Sequence, residues 1–300
     1  MNKVSIYEVG PRDGLQNEKN PVKTEAKIEF VNMLSNTGLE YIECGAFVSP
    51  KWVPAMADSN EVLSRIDRKK NISYPVLSPN LKGLQGAIEI DADTVCVFST
   101  PSETFSKKNT NCSVSEALER AKYVTEEALD KGLKVRGYIS TVITCPYEGE
   151  ISPIEVAKLS EKLIKMGCYE VSLGDTIGSG TPLKTRKMVS ESKNAIGSDK
   201  LAVHFHDTYG QALANILASI ELDVRVVDTS VGGLGGCPYA PGARGNVATE
   251  DVLYMLNGMG IETGVDLTKI CNASKFVFDQ LGRNPFSRVY NALEAKNKRN

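Results

Sequence analysis

The two histidines of the chain, His204 and His206, are the residues whose type and spacing point most directly to chemistry. They stand two positions apart in the run AVHFHD, at the end of a short apolar stretch. Because side chains alternate along a β-strand, both imidazoles would project to one side, about 6.6 Å apart along the strand. Two imidazoles so placed can share one metal ion, although ordinary packing at a strand end is the more frequent explanation of an isolated His-x-His pair.

Oxygen-bearing side chains elsewhere could complete such a metal site. Asp13 follows the first apolar run, in EVGPRDGLQ, where its neighbour Arg12 offers a fixed cationic fork. Asn246 follows a glycine-rich stretch, although an asparagine before a helix is more often a cap. Imidazoles combined with carboxylate, amide and water oxygens suit a six-coordinate Mg²⁺ or Mn²⁺, whereas structural zinc usually recruits cysteines. These residues predict an open, catalytic metal site.

Strands and helices alternate along the chain, which determines where these residues would lie. Helical spacing is found at 25–34, 114–129, 154–166, 183–192 and 211–220. Eight apolar or β-branched runs predict strands, at 4–9, 41–44, 72–77, 94–98, 134–139, 170–173, 201–206 and 225–229.

Eight such units favour a closed (β/α)8 barrel, of the TIM-barrel type, over an open doubly wound sheet, because a barrel typically occupies roughly 250 residues. Two further helices, at 249–257 and 267–281, would pack on the barrel before a polar tail. No linker, charge block or repeat divides the chain, so we interpret residues 1–300 as a single catalytic domain. Arg136 and Tyr138 share a face of the fifth strand, and we interpret them as structural rather than catalytic.

Reactive residues fall at the carboxyl ends of these strands, where barrel enzymes place their chemistry. Glu43 ends the second strand, and a carboxylate directed into the barrel mouth needs a partner, for which Arg12 is the candidate. Asp175 follows the sixth strand, where a capping role in a turn explains the residue equally well. Cys237 lies in the run GGCPY, a setting that no core strand or helix would choose.

Composition excludes several classes of protein. The chain has 300 residues, 24% of them charged, and a net charge of −2, without a basic cluster for nucleic acid. No apolar run approaches the roughly 18 residues that a membrane span needs. Seven cysteines without a Cys-x-x-Cys pair argue against a disulfide framework and a structural zinc site. With a strand-like start and no signal-peptide pattern, we expect a cytoplasmic protein that binds neither nucleic acid nor membrane.

Motifs across nearly the whole chain carry a family resemblance. They are YEVGPRDGLQNE at 7–18, FVSPKWVP at 47–54, GDTIG at 174–178, the stretch 204–215, and GLGGCPYA at 233–240. With these motifs the chain resembles the hydroxymethylglutaryl-CoA lyase family, metal-dependent barrels related to isopropylmalate and homocitrate synthases. The resemblance implies retro-Claisen cleavage of (S)-3-hydroxy-3-methylglutaryl-CoA, an acyl-CoA substrate, to acetyl-CoA and acetoacetate. It also implies a homodimer.

The resemblance also implies roles for individual residues. Arg12 would stabilise the enolate oxygen and bind substrate together with Gln16, and Cys237 would deliver the proton to the enolate. Glu43 and Asp175 match acidic residues associated with activity, and we expect them to orient Arg12 and the proton path. One divalent cation, Mg²⁺ or Mn²⁺, would be held by Asp13, His204, His206 and Asn246.

Several alternatives stay open from the sequence. The group that takes the hydroxyl proton is Asp13, His204 or a water. Lys19 and Lys51 are candidates for the basic rim of the coenzyme A pocket. The rival functions are a lyase for a related 3-hydroxyacyl-CoA, a condensing enzyme for acyl-CoA and a 2-oxo acid, and a non-catalytic metal- or CoA-binding barrel. The pathway, leucine breakdown or ketone-body formation, is equally open.

Overall fold

A computed structural model describes residues 3–18, 20–236 and 245–298. Within these residues, two short strands pair as an antiparallel hairpin, β7 (Thr144–Cys145) with β8 (Gly149–Glu150). The remaining strands are parallel: β1 (Ser5–Glu8), β2 (Tyr41–Ile42), β3 (Gly45–Ala46), β4 (Val76–Leu77), β5 (Thr94–Ser99), β6 (Lys134–Ile139), β9 (Glu170–Asp175), β10 (Leu201–Phe205) and β11 (Val226–Thr229).

The parallel strands close into a barrel in the order β2-β1-β11-β10-β9-β6-β5-β4-β3. The two end members, β2 and β3, are successive pieces of one extended segment. In that segment the Glu43 N–H donates to the Glu8 carbonyl on one side (2.8 Å), and the Cys44 N–H donates to the Pro75 carbonyl on the other (3.0 Å). The segment therefore joins both neighbouring strands and acts as one of eight strand positions, which confirms the predicted (β/α)8 fold.

Helices surround the barrel between its strands. Every helix predicted from periodicity is present, with ends that differ from the prediction by at most a few residues. Three short helices of seven to nine residues, at Ser59–Arg65, Leu81–Glu89 and Glu103–Thr110, were not predicted, because periodicity says little over two turns. The helices are α1 (Thr24–Leu34), α2 (Ser59–Arg65), α3 (Leu81–Glu89), α4 (Glu103–Thr110), α5 (Val114–Asp130), α6 (Pro153–Met166), α7 (Pro182–Ile196), α8 (Ala212–Ile220), α9 (Thr249–Gly258), α10 (Leu267–Leu281) and α11 (Arg288–Asn297). None of these helices combines the length and apolar character needed to cross a membrane.

Most of the predicted polar tail forms a helix, α11, whose bounds were not predicted from the sequence. The helix begins at Ser287, whose hydroxyl accepts the N–H of Tyr290 (3.0 Å) and donates to Asp251 in α9 (2.6 Å). Asp251 also accepts the N–H of Val289 (2.9 Å). The helix is therefore anchored by a cap and by a contact with α9, and its own sequence carries little amphipathic signal.

The connection between α1 and β2 fits only a glycine. Gly38 has φ +97°, and a Cβ there would lie 2.1 Å from the Gly264 carbonyl oxygen. Gly132, between α5 and β6, has φ +78° with open space around the same position. An alanine at position 38 would therefore have both backbone strain and a steric clash, whereas an alanine at position 132 would have backbone strain alone.

This difference predicts unequal effects of alanine at the two sites. Gly38→Ala should lower the free energy of unfolding by roughly 3 kcal/mol, and Gly132→Ala by roughly 1 kcal/mol. Equilibrium unfolding in urea measures both values. Equal losses in the two variants would show that the contact with Gly264 relaxes freely.

Candidate metal centre and active site

A cluster of two imidazoles and a carboxylate lies at the carboxyl end of the barrel. Asp13 belongs to a tight π-helical turn (Gly10–Gly14) that follows β1, while His204 and His206 come from the end of β10. One ligand atom from each of the three side chains lies within 4.8 Å of the others. The predicted same-side placement of the two histidines is confirmed, and Asp13 joins them as predicted.

His204 lies between two carboxylates. Its Nε2 is 3.8 Å from Asp13 Oδ2, and its Nδ1 is 3.3 Å from Asp228 Oδ2. Burial alone would lower the pKa of His204, but the hydrogen bond with Asp228 and the negative charges of both carboxylates outweigh it and raise the pKa. One ring nitrogen is thus occupied by Asp228, and the other faces Asp13.

The protonation states of the other two members suit a cation. Burial and the neighbouring His204 lower the pKa of His206 to about 4, so this imidazole is neutral near pH 7. Burial opposes ionisation of Asp13, but Arg12 and the histidines hold the pKa of its carboxyl well below its usual range. His206 Nδ1 is buried and has no hydrogen-bond partner among the described residues. A neutral imidazole with an unsatisfied nitrogen beside a carboxylate fits a divalent metal ion.

Asn246 lies beside the cluster. Its backbone pairs with His206, and its amide Nδ2 donates to Asp13 Oδ2 (2.8 Å) and to the Leu234 carbonyl (3.2 Å). The side chain is therefore adjacent to the metal-binding atoms. Ligation through its amide oxygen requires the amide group to turn, because a metal ion needs the oxygen and not the nitrogen.

Arg12 and Glu43 form a buried ion pair next to the cluster. Arg12 Nη2 donates to Glu43 Oε2 (2.8 Å), and Nη1 donates to Asp13 Oδ1 (2.6 Å). The Tyr138 hydroxyl donates to the same Glu43 oxygen (3.0 Å), and its ring lies 5.5 Å from the guanidinium carbon. The predicted pairing of Glu43 with Arg12 is confirmed. Arg12 Nε is buried without a partner among the described residues, so the fork keeps one donor for a ligand.

The π-helical turn owes its shape to contacts with the segment after β11. Glu8, fully buried at the end of β1, accepts the N–H groups of Gly10 (2.8 Å) and Val231 (2.9 Å). A Cβ on Gly14 would lie 2.7 Å from Leu234 Cβ, so only glycine allows the two turns to meet. Burial raises the pKa of Glu8 to about 7, although its hydrogen bonds oppose the shift. These contacts fix the backbone that presents Arg12 to the barrel mouth.

Asp175 is placed differently from Glu43. Its carboxylate accepts the N–H groups of Gly180 (2.7 Å) and Ser179 (3.2 Å), in the turn that follows β9. Burial raises its pKa to about 6, and these hydrogen bonds oppose the shift. The expectation that Asp175 orients Arg12 has no supporting contact among the described residues. A helix-capping role is not found in this part of the chain either, because α7 begins at Pro182 with Thr181 at the N-cap position, and Asp175 bonds only the turn before it.

The structure describes only two of the four remaining predicted residues. Gln16 is half-buried just after the π-helical turn, with a side-chain oxygen that lacks a partner among the described residues. Lys51 is exposed in the segment after β3. Cys237 and Lys19 lie outside the described residues.

The sequence patterns did not identify Asp228 as part of the site, and they indicated only a structural role for Arg136. Arg136 is fully buried inside the barrel, where its fork bonds both oxygens of Asp228, Nη2 to Oδ1 at 2.8 Å and Nη1 to Oδ2 at 3.0 Å. The pKa of Asp228 is held at about 2, because Arg136 and His204 outweigh the effect of burial. An acid inside an otherwise apolar strand was the signal that could have identified Asp228.

The fold and the site together define a class. An eight-stranded parallel barrel that collects two histidines, a carboxylate and a buried arginine at the carboxyl ends of its strands is a metal-binding (β/α)8 barrel with the layout of an enzyme.

Comparison with known proteins gives the family. Residues 3–277 match the family model described as HMGL-like. A Gallus gallus relative named hydroxymethylglutaryl-CoA lyase, mitochondrial, is 54% identical over 290 residues, 97% of each chain. A Danio rerio relative named 3-hydroxy-3-methylglutaryl-CoA lyase, cytoplasmic, is 54% identical over 289 residues, 96% of this chain and 86% of the relative. The crystal structure of hydroxymethylglutaryl-CoA lyase from Pseudomonas aeruginosa is similar with a TM-score of 0.97 and 52% identity, over 98% of both chains. The chain belongs to the HMGL-like family, which confirms the resemblance drawn from its motifs.

The cluster predicts how single substitutions change metal affinity. Asp13→Asn and His206→Ala should each weaken Mn²⁺ binding by roughly tenfold or more, because the first replaces a charged carboxylate ligand with a neutral amide and the second removes an imidazole. Titration of free Mn²⁺, followed by electron paramagnetic resonance, measures the affinity. Asp223→Asn is the matched control, because Asp223 is exposed before β11, at the other end of the barrel. Affinity in Asp13→Asn equal to that of the control would show that the cluster does not hold the ion.

Proposed function

We propose that the chain is a divalent-metal-dependent lyase that cleaves (S)-3-hydroxy-3-methylglutaryl-CoA to acetyl-CoA and acetoacetate by a retro-Claisen reaction. The observation that carries the proposal is the Asp13–His204–His206 cluster with the buried Arg12 directly beside it. Membership of the HMGL-like family and the names of its relatives supply the substrate. Retro-Claisen cleavage of a tertiary alcohol β to a thioester carbonyl is assisted by a Lewis acid at the hydroxyl and a cation at the enolate oxygen.

The proposed metal is Mg²⁺ or Mn²⁺, one per subunit, held by Asp13, His204, His206 and the amide oxygen of Asn246. The donor set of two imidazoles and hard oxygens supports these ions. When bound, such an ion lowers the pKa of a coordinated hydroxyl and orients it. The other proposed roles, enolate stabilisation, substrate binding and proton delivery, belong to residues near the metal site.

Arg12 is proposed to stabilise the enolate oxygen of the departing acetyl-CoA fragment. Three features support this role: its permanent charge, its burial, and the free Nε donor. Glu43 and Tyr138 hold the guanidinium in place from one side, and Asp13 does so from the other. Gln16, one helical turn further along the same segment, is proposed to bind substrate through its unpaired amide oxygen.

Cys237 is proposed to deliver the proton to the enolate carbon. A thiol with a pKa near 8.5 can donate a proton near neutral pH. The described residues that flank this segment lie close together, because an added Cβ on Gly245 would lie 2.9 Å from Gly236 N and one on Gly235 would lie 3.0 Å from the amide nitrogen of Asn246. Cys237 follows Gly236 directly, so the chain enters and leaves this segment beside the metal-binding atoms.

Asp175 is proposed to contribute to activity by holding the turn after β9, through its bonds to Ser179 and Gly180. We further propose that the chain acts as one catalytic barrel domain, as a homodimer, and in the cytoplasm.

Each cysteine that the structure describes is free, which supports a reducing compartment. The dimer rests on the family, and light scattering after size exclusion tests it.

The activity test is direct. Protein supplied with Mg²⁺ and the proposed substrate should release acetoacetate, measured by coupling to a dehydrogenase. Cys237→Ala should lose nearly all turnover and keep its Mn²⁺ affinity, whereas Cys271→Ala, on α10, should behave as the wild-type protein. No acetoacetate from the wild-type protein, together with cleavage of another 3-hydroxyacyl-CoA, would contradict the proposed substrate.

Arg12→Lys separates geometry from charge. Lysine keeps the positive charge but lacks the planar fork that bonds Glu43 and Asp13 together, so kcat should fall by roughly 100-fold or more. Steady-state kinetics at saturating Mg²⁺ measures the change, and Lys165→Arg, an exposed reverse exchange at the end of α6, is the control. Turnover within a few-fold of wild type would refute the role assigned to Arg12.

A further inference from the structure

Asp228 lies behind His204 and has no role in the reaction proposed above. Its Oδ2 is 3.3 Å from His204 Nδ1, while the other ring nitrogen, Nε2, is 3.8 Å from Asp13 Oδ2. A histidine whose Nδ1–H is donated to a carboxylate keeps its Nε2 lone pair free for a metal ion. The two ring nitrogens of His204 therefore have separate partners, one on each side.

Asp228 is itself held firmly. Its Oδ1 accepts Arg136 Nη2 (2.8 Å), and its Oδ2 accepts both Arg136 Nη1 (3.0 Å) and the Ser172 hydroxyl (2.8 Å). Arg136 is fixed in turn by Glu170 at its Nε (2.7 Å) and by the Tyr7 ring, whose centroid lies 3.8 Å from the guanidinium carbon. Both oxygens of Asp228 are directed by these bonds, so the carboxylate has one orientation toward His204.

We propose that Asp228, clamped by Arg136, is a positioning residue that fixes the tautomer and ring orientation of His204 so that Nε2 faces the metal ion. The inference rests on the proposed metal site and is independent of which acyl-CoA is cleaved. Arg136 then acts on the metal site indirectly, because it bonds Asp228 and not the metal-binding atoms.

Asp228→Asn tests the proposal on metal affinity. An asparagine of the same shape must turn an N–H group toward Arg136 or toward His204, because both oxygens of the carboxylate now accept from Arg136. In the first arrangement Arg136 no longer clamps the side chain, and in the second His204 Nδ1 faces a donor instead of an acceptor. Mn²⁺ affinity should therefore fall by roughly 10- to 100-fold. Electron paramagnetic resonance measures the affinity on the full chain, and circular dichroism checks folding.

Glu170→Gln is the matched control. It removes a carboxylate from the opposite edge of the same guanidinium, without touching the Asp228–His204 contact. The amide oxygen of glutamine can still accept from Arg136 Nε, so the clamp on Asp228 is kept, and Mn²⁺ affinity should stay within about twofold of wild type. Unchanged affinity in folded Asp228→Asn, or an equal loss in both variants, would overturn the proposal.

A second measurement needs no substitution at Asp228. The chain has two histidines, so a ¹H–¹⁵N spectrum of the imidazoles in the Mg²⁺-loaded protein contains two rings, which His206→Asn distinguishes. We expect His204 to carry its proton on Nδ1. A proton on Nε2 would overturn the proposal even if Asp228→Asn failed to fold. Absence of lyase activity in the wild-type protein would contradict the proposed function. It would not change what the Mn²⁺ affinities and the imidazole spectrum say about Asp228.

Discussion

The site depends on the pairing of two arginines that are buried inside the barrel. Arg136 is fully buried and Arg12 is 6% exposed, and each is matched by carboxylates that the neighbouring strands supply. An unpaired charge at such depth is strongly destabilising, since breaking a buried pair typically costs about 3–5 kcal/mol. Pairing therefore determines which side chains can face the barrel interior, and the metal-binding histidine is one of the groups that the resulting network orients.

The two ion pairs are connected, so the metal-binding side of the site is linked to the side that would stabilise the enolate. Tyr138 accepts from Arg136 (3.0 Å) and donates to Glu43 (3.0 Å), so its hydroxyl joins the group that orients His204 to the group that holds Arg12. All of these residues lie on barrel strands, on the extended segment between β2 and β3, or on the turn tied to β1. The metal-binding atoms and the enolate-stabilising cation are thus held by one buried hydrogen-bond network.

Much of this arrangement could be predicted from the sequence. The strand period placed His204 and His206 on one face, and the alternation of strands and helices gave the barrel, because both signals are local. Asp228 could not be assigned, since its role depends on an arginine 92 residues away that meets it only across the closed barrel. The final helix was missed for a similar reason, because its start is fixed by Asp251 and not by its own pattern.

The central claim is that one divalent cation is bound by both histidines at the mouth of the barrel. Electron spin echo envelope modulation of the Mn²⁺-loaded protein, with histidine labelled by ¹⁵N, measures this most directly, because the only labelled nitrogens belong to His204 and His206. The account predicts strong coupling of each Mn²⁺ ion to ¹⁵N of two imidazoles. A bound ion with no ¹⁵N coupling, or with coupling to a single imidazole, would contradict it.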